Sequence, residues 1–447
     1  MMYGREKSDP AIVATKPANN AGRPAAEWVE PRAGTEGNAN QTHTRRAQNR
    51  ESVSQGLDRV RQLARQHKKM RFTTLLLHVT VERLSDAFYA LKRKASPGVD
   101  GVTWQSYEVG LECNLRDLHS RVHAGRYRAL PVLRRYIPKG DGGLRPLGMA
   151  ALEDKLVQSV MVDVLNAIYE EDFLGFSYGF RPGRSQHDAL DALAAAIQCK
   201  PVNWILDADI RSFFDTVNRQ WLMRFLKHRV ADPRAIRLIG KWLDAGVLED
   251  GRLTSVTAGT PQGSVISPLL ANIYLHYVFD LWIARWRRQR RRGTVVVSRY
   301  ADDTVVGFQY EADVLLLLKD LRQRMGEFDL TLHPEKTRLL EFGRYAAERR
   351  QRQGKGRPET FAYLGFIHIS GKSRNGAFQL KRKSRKDRLR AKLKQIREQM
   401  RRRMHEAIAS QGRWLAQVVR GYCSRSQILL VAAVNCDSGF CRKKLVF

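Results

Sequence analysis

Cysteine is scarce in this chain: five residues in 447, at Cys113, Cys199, Cys423, Cys436 and Cys441, with no Cys-x-x-Cys pair. That excludes a zinc ribbon and a disulfide scaffold, and makes a reducing, intracellular setting the default. Long apolar runs are missing too. Nothing approaches the ~18 apolar residues that a membrane span needs, and Leu75-Leu76-Leu77 is only a fragment of a core. The first residues lack a charged stretch followed by an apolar one, so no secretory start is expected. No internal repeat occurs. Acidic residues are in deficit: 45 Asp and Glu against 78 Lys and Arg leave a net charge of +33. A field of that sign attracts polyanions, without choosing among DNA, RNA and an anionic membrane.

The basic residues that are present come in clusters. Arg285-Trp286-Arg287-Arg288-Gln289-Arg290-Arg291-Arg292 is one run. Lys381-Arg382-Lys383-Ser384-Arg385-Lys386-Asp387-Arg388 opens a second that continues past Arg401-Arg402-Arg403. Within it Leu389, Leu393, Ile396, Met400 and Met404 recur at three- to four-residue spacing, which predicts one apolar stripe on a long helix with basic remaining faces. An ordinary amphipathic helix has the same pattern, but one this basic is expected to lie against something negative, with salt-dependent binding.

Tyr300-Ala301-Asp302-Asp303 carries the most chemistry. It is flanked by Gly293-Thr294-Val295-Val296-Val297-Ser298-Arg299 and by Thr304-Val305-Val306-Gly307-Phe308, two short β-branched runs that read as buried strands. Along a strand, neighbouring side chains point to opposite faces; at a turn, two adjacent aspartates can be aimed at one point. Carboxylates set against an apolar sheet are costly unless a cation neutralises them, so a divalent metal suits the pair. A solvated Asp-Asp turn is the plain alternative for these four residues alone.

Other segments weigh against it. Val202 to Asp215 reads as a buried strand ending in Asp207 and Asp209 and passing into an aromatic-rich turn. Two Mg²⁺ ions about 3.5–4 Å apart need several bridging oxygens to clamp an in-line phosphoryl displacement, and three aspartates plus a nucleoside triphosphate supply them. Between the acid clusters, Gly259-Thr260-Pro261-Gln262-Gly263-Ser264 forms a Gly/Pro-punctuated loop suited to close approach by a ligand, and it feeds an apolar helix.

In this order the segments resemble the palm of reverse transcriptases, most specifically that of group II intron reverse transcriptase/maturases of bacterial type without an endonuclease domain. Ala95-Ser96-Pro97-Gly98-Val99-Asp100-Gly101 is similar to the first fingers block. Tyr136-Ile137-Pro138-Lys139 and Leu144-Arg145-Pro146-Leu147-Gly148, joined by a Gly-Asp-Gly-Gly turn, are similar to the second. Phe176-Ser177-Tyr178-Gly179-Phe180-Arg181-Pro182-Gly183-Arg184-Ser185 resembles the additional block of group II and retron-like enzymes. Leu332-His333-Pro334-Glu335-Lys336-Thr337 and Phe361-Ala362-Tyr363-Leu364-Gly365-Phe366 resemble the last two palm blocks. The likeness runs from about residue 80 to about residue 420.

The resemblance implies an α+β fold of the right-hand polymerase kind: fingers and a palm whose antiparallel sheet packs on helices, then a partial helical thumb. Residues 1–65, poor in large apolar side chains, are expected to be a mobile basic and polar extension that orders, if at all, on RNA. Fingers are expected over 66–200, palm over 201–370, the helical thumb or maturase domain over 376–422, and an atypical tail over 423–447.

The implied site follows residue by residue. Asp209, Asp302 and Asp303 are the metal ligands, with the Ile210 carbonyl completing one coordination sphere. Asp207 competes with Asp209, which is preferred because it lies five residues before Phe214, the family's spacing for an aromatic that crowds a 2′-hydroxyl. Lys139 and Arg145 grip the triphosphate, Gln262 and Gly263 line the base and sugar pocket, and Tyr300, Leu364 and Gly365 hold the primer. Lys336 is the candidate acid for leaving pyrophosphate, a solvated surface lysine being the alternative. His187 and His333 read as structural.

The function so implied is that of an RNA-directed DNA polymerase of a group II intron. It uses two Mg²⁺ ions, with Mn²⁺ as substitute, and has a maturase role in intron splicing and mobility. Its implied partners are the intron RNA, an RNA template, a DNA primer and dNTPs, with no membrane; a homodimer is compatible, and the setting is the prokaryotic cytoplasm. Gln411 to Tyr422 resembles the thumb helix with its Gly-aromatic end, but three of the five cysteines follow it, which suggests a truncated or frameshifted C-terminus. Two alternatives stay open: an RNA-binding splicing cofactor with little polymerase activity, and a retron-like or diversity-generating reverse transcriptase.

Overall fold

Three β-sheets and the helices packed on them make up the computed structural model, which describes residues 56–138, 144–249, 251–254, 259, 260 and 263–426. In chain order the strands are β1 (Val132–Pro138), β2 (Leu144–Met149), β3 (Trp204–Ala208), β4 (Val247–Glu249), β5 (Arg252–Thr254), β6 (Val295–Tyr300), β7 (Asp303–Phe308), β8 (Arg338–Glu341), β9 (Thr360–Tyr363), β10 (Phe366–Lys372) and β11 (Phe378–Ser384). One sheet has the order β2-β1-β4-β5, the central one β6-β7-β3-β8, and the third β11-β10-β9. The chain is a mixture of helix and sheet, as expected of an α+β protein.

The central sheet is antiparallel throughout and apolar on both faces. Alternation explains why its strands look uniformly hydrophobic in sequence. Leu206, Val295, Val297, Val306 and Phe308 join one buried cluster with the helices Leu152–Tyr169, Arg219–Lys227, Ser267–Leu275 and Glu311–Gly326. Ile205, Val296, Val305 and Leu340 join a second, with the helix Gln186–Cys199 and with Phe361, Tyr363 and Leu380 of the third sheet. The helix Leu152–Tyr169 is buried nearly all round, with Leu156, Val157, Met161, Val164, Leu165 and Ile168 inaccessible. The helix Gln186–Cys199 starts at a capping box, in which Ser185 and Asp188 satisfy each other's backbone N–H.

Three expected boundaries move. Residues 56–66 form a helix whose Leu57, Val60 and Ala64 lie in the main core, so packed chain begins before residue 66. Only three small or medium apolar side chains at helical spacing do this, too weak a signal to lift the local composition. The stretch expected to open the thumb at 376 instead forms β11, which pairs along its whole length with β10. The basic helix follows as Lys386–Arg402, which leaves Met404 past its end. Its apolar stripe is exposed at Leu389, Leu393 and Met400. The next helix, Ile408–Ser426, runs through Gly421 rather than ending there. The calls on residues 1–55 and on the tail from 427 onward lie outside the described residues. Among the described residues no helix is long and apolar enough to cross a membrane.

Candidate active site

The β6–β7 hairpin closes through a two-residue turn. Tyr300 pairs with Asp303, leaving Ala301 and Asp302 at the tip, with Ala301 in the left-handed region at φ 57°. A left-handed residue reverses a twisted ribbon in so short a loop, and it takes Asp302 out of strand alternation beside Asp303, which opens β7. The tip is held from outside. Ser177 bridges to Arg299, with Tyr178 N–H donating to the Arg299 carbonyl at 2.9 Å and Arg299 N–H donating to the Phe176 carbonyl at 2.9 Å. This brings Gly179 against the turn so closely that a Cβ there would sit 2.3 Å from the Ala301 nitrogen. Glycine is required by proximity here rather than by dihedral angle.

The third acid directly follows β3. The β3–β7 ladder pairs Asp207 with Val305 and Ala208 with Thr304, and Asp209, the next residue, lines the same cleft close enough for its charge to act on Asp303. Beyond β3 the chain is pinned to the segment after the helix Glu311–Gly326: His333 N–H donates to the Asp209 carbonyl at 2.8 Å, and Arg211 N–H to the Thr331 carbonyl at 2.9 Å. That pinning brings Lys336 to 3.5 Å from Asp209 Oδ2. Arg338, one strand over, lies 3.8 Å from Asp207 Oδ2.

These side chains share an open cleft of about 1020 Å³. Asp207, Asp209, Ile210, Phe214, Tyr300, Asp302, Asp303, Lys336, Leu364 and Gly365 all line it. The β9–β10 hairpin supplies the last two as its turn, in which both residues have positive φ, and Gln186 donates its side-chain amide to the Leu364 carbonyl. Pro146 of β2 brings the first sheet to the same space.

Carboxylates outnumber the cations here, and their acidity reports it. Enclosure by protein, then the neighbouring Asp302, Asp209 and Asp207, push Asp303 up to about 7, with Lys336 a partial offset, although Asp303 keeps an open side toward the cleft. Burial raises Asp207 to about 6 against the opposing pull of Arg338. An all-oxygen donor set with surplus negative charge suits a hard divalent cation. Among the described residues no three such groups are closed into a ready cage. Lys336 engages Asp209.

The other expected residues divide. Gly263 sits at φ 100° with its backbone pressed on β2, where a Cβ would lie 2.3 Å from the Gly148 carbonyl oxygen. Arg145 is on β2 opposite Ile137. Lys139 and Gln262 lie outside the described residues. His333, read as structural, lines the cleft, whereas His187 sits edge-on to Phe366. Sequence reasoning passed over Arg338, Arg385 and Gln186 at the cleft, and Gln158 behind it. Gln158 Oε1 accepts from Ser264 Oγ at 2.7 Å, Val265 N–H at 3.0 Å and Ile266 N–H at 3.4 Å, and so fixes the loop after Gly263. A glutamine inside an apolar helix was the available signal, since a buried amide needs partners.

The family described as "Reverse transcriptase (RNA-dependent DNA polymerase)" matches residues 137–368. The chain is 34% identical over 274 residues to "Protein YkfC" of Escherichia coli (strain K12), a match covering 55% of this chain and 72% of that one. It is 40% identical over 235 residues to "Group II intron-encoded protein LtrA" of Lactococcus lactis subsp. cremoris, covering 50% of this chain and 39% of LtrA. "Nuclear intron maturase 3, mitochondrial" of Arabidopsis thaliana is 30% identical over 121 residues, 27% of this chain and 16% of its own length. The chain thus spans well under half the length of the two intron-related proteins.

Proposed function

Because the chain belongs to the reverse transcriptase (RNA-dependent DNA polymerase) family, we propose that it is the RNA-directed DNA polymerase of a group II intron and assists that intron's splicing and mobility. The observation that carries the catalytic reading is the convergence of Asp209 with Asp302 and Asp303, from the end of β3 and from the β6–β7 turn, in one open cleft. The intron and maturase parts draw on the likeness to LtrA and to the plant maturase, together with the net charge of +33.

In this reading the sheet containing β1 and β2 belongs to the fingers, the central and third sheets to the palm, and the helices Lys386–Arg402 and Ile408–Ser426 to a partial thumb. Asp209, Asp302 and Asp303, with the Ile210 carbonyl, hold two Mg²⁺ ions, for which Mn²⁺ substitutes. Bound there, divalent cations neutralise phosphate charge and favour in-line displacement. The growing primer's 3′-hydroxyl gives up its proton to water and its oxygen attacks the α-phosphorus of a dNTP; the new P–O bond forms as the bond from that phosphorus to the bridging oxygen of the β-phosphate breaks, and pyrophosphate leaves. Lys139 and Arg145 grip the triphosphate, Gln262 and Gly263 bound the base and sugar, and Phe214 crowds a 2′-hydroxyl. Tyr300, Leu364 and Gly365 support the primer. Lys336 gives its proton to the leaving pyrophosphate after exchanging Asp209 for the phosphate oxygens.

Primer extension on an RNA template with Mg²⁺ tests the reading. The unsubstituted chain is expected to incorporate dNTPs, and Asp302→Ala to lose this by orders of magnitude while RNA binding survives. Equal extension by the variant would defeat the assignment.

A further inference from the structure

Among the described residues five other than glycine have positive φ: Phe180, Ser212, Ala301, Asp329 and Leu364. Three of them sit at the cleft: Ser212 and Leu364 line it, and Ala301 forms the tip of the aspartate hairpin. Backbone strain of this kind gathers at working sites. Phe180 is the fourth member of that group by position, and nothing assigned so far uses it.

The fold explains the angle at residue 180 but not the side chain. On one side Gly179 is fixed against Ala301, and its carbonyl accepts from Asn272 Nδ2 at 2.6 Å. On the other, the buried Arg181 guanidinium is held by Glu170 at 2.9–3.1 Å and by the carbonyls of Leu174 and Ser177 at 2.9 and 2.8 Å. Residue 180 must span two anchored neighbours, and it does so at φ 58°. Glycine or asparagine would meet that demand at low cost, whereas a bulky residue there is a genuine outlier. The phenyl ring also gains little from burial, being 50% exposed. Both the backbone and the solvent argue against phenylalanine at this place.

What the ring does have is a neighbour. Its centroid lies 6.4 Å from that of Tyr300. Tyr300 and Leu364 pack together on Tyr178, Ala189 and Ala192 to make one wall of the cleft beside the aspartates. Phe180 lies beside the Tyr300 end of that wall with a half-exposed aromatic ring. We propose that Phe180 is a nucleic-acid-binding residue which stacks on a base of the primer strand near its growing end and extends the wall formed by Tyr300 and Leu364. The inference rests on the polymerase reading of the site. Base–aromatic stacking is insensitive to sequence, as a contact with a moving primer must be.

Equilibrium binding of a labelled DNA primer–RNA template hybrid to the full chain tests this, alongside primer extension and thermal melting. Phe180→Ala and Phe180→Gly are expected to weaken hybrid binding about tenfold and to raise the primer–template KM in step, with kcat at saturating hybrid little changed. Phe180→Tyr should restore binding. Phe180→Gly should melt above the unsubstituted chain, because glycine carries no penalty at this φ. A stability gain with an affinity loss cannot come from misfolding. Equal hybrid affinity in the unsubstituted chain and Phe180→Ala would overturn the proposal. So would a loss in Phe180→Ala that Phe180→Gly does not share. Failure of the unsubstituted chain to extend any primer would instead overturn the polymerase reading, and the binding comparison would still decide the contact.

Discussion

Arg299 and Asp280 form a two-pronged ion pair, Nε to Oδ1 at 2.7 Å and Nη2 to Oδ2 at 2.6 Å, with neither side chain exposed. The rest of the guanidinium is also engaged. Nη1 donates to Asn272 Oδ1 at 3.1 Å and to the Ala301 carbonyl at 2.9 Å, and Nη2 to Ser177 Oγ at 2.6 Å. All five donors are thereby used. His276, 3.9 Å from Asp280, is pushed down to about 4 by burial and stays neutral. One arginine thus ties the turn carrying Asp302 to the helical turn His276–Asp280 and to the strand-like segment at Ser177.

Removing one member of this pair should be costly. Arg299→Met or Asp280→Leu alone strands a buried charge, and each is expected to cost about 3–5 kcal/mol in urea unfolding. The double variant, apolar on both sides, should recover much of that stability. It should not recover primer extension, because the Ala301 carbonyl still lacks its donor. Full extension by the double variant would show that the turn holds itself.

Gly179→Ala probes the same turn from the other side. The added Cβ meets backbone, not a flexible side chain, at 2.3 Å from the Ala301 nitrogen, so one of two anchored segments must shift. Overpacking of this sort costs about 1–3 kcal/mol. Extension should drop much further than stability does, since the displaced atoms lie next to Asp302. RNA binding measured by anisotropy should be unchanged.

Legibility in the sequence followed the range of the interactions. The hairpin could be read because both its strands and its turn lie within sixteen consecutive residues, Gly293 to Phe308. The convergence of Asp209 with that hairpin rests on what a two-metal site needs and on family resemblance, because nothing local records which strands pair. Asp207 and Asp209 fall on the same side of β3 by periodicity. What separates them is the neighbour each meets, Arg338 or Lys336. Arg299 falls in a run that reads as a buried strand, but the carboxylate that neutralises it lies 19 residues away on another element and is not legible from the run. β11 was hidden for a related reason: Gln379-Leu380-Lys381-Arg382-Lys383 suits a basic helix, and pairing with β10 overrides that preference.

Asp303 makes metal-free stability depend on pH. Its carboxyl is held up to about 7 in the folded chain, by enclosure first and by neighbouring carboxylates second. The unfolded chain releases that proton in the ordinary carboxylate range, so between the two values the folded state binds more protons. The contribution is therefore fully present at low pH and is lost as pH rises through about 7. In EDTA, Asp303→Asn should melt above the unsubstituted chain at about pH 8, and the gap should narrow toward about pH 5. Added Mg²⁺ should stabilise the unsubstituted chain more at the higher pH, where the ligand is ionised, and the variant little at either. A gap independent of pH would remove Asp303 from this account.

Lys336 has two separable roles open to it. Its ammonium is 3.5 Å from Asp209 and 65% exposed, which makes it at least a countercharge. A countercharge needs only a positive group, whereas an acid must release a proton. Arginine satisfies the first requirement and not the second, because its guanidinium is not deprotonated in proteins. If Lys336 protonates pyrophosphate, Lys336→Arg should lose extension nearly as fully as Lys336→Ala, by about 10²-fold or more, and the alkaline limb of the pH–rate profile should disappear in both. If it serves only to balance Asp209, Lys336→Arg should keep the rate and the profile, and Lys336→Ala should be rescued in part by higher Mg²⁺. Single-turnover extension across the pH range separates the two outcomes, because product release no longer masks the step in which the proton moves.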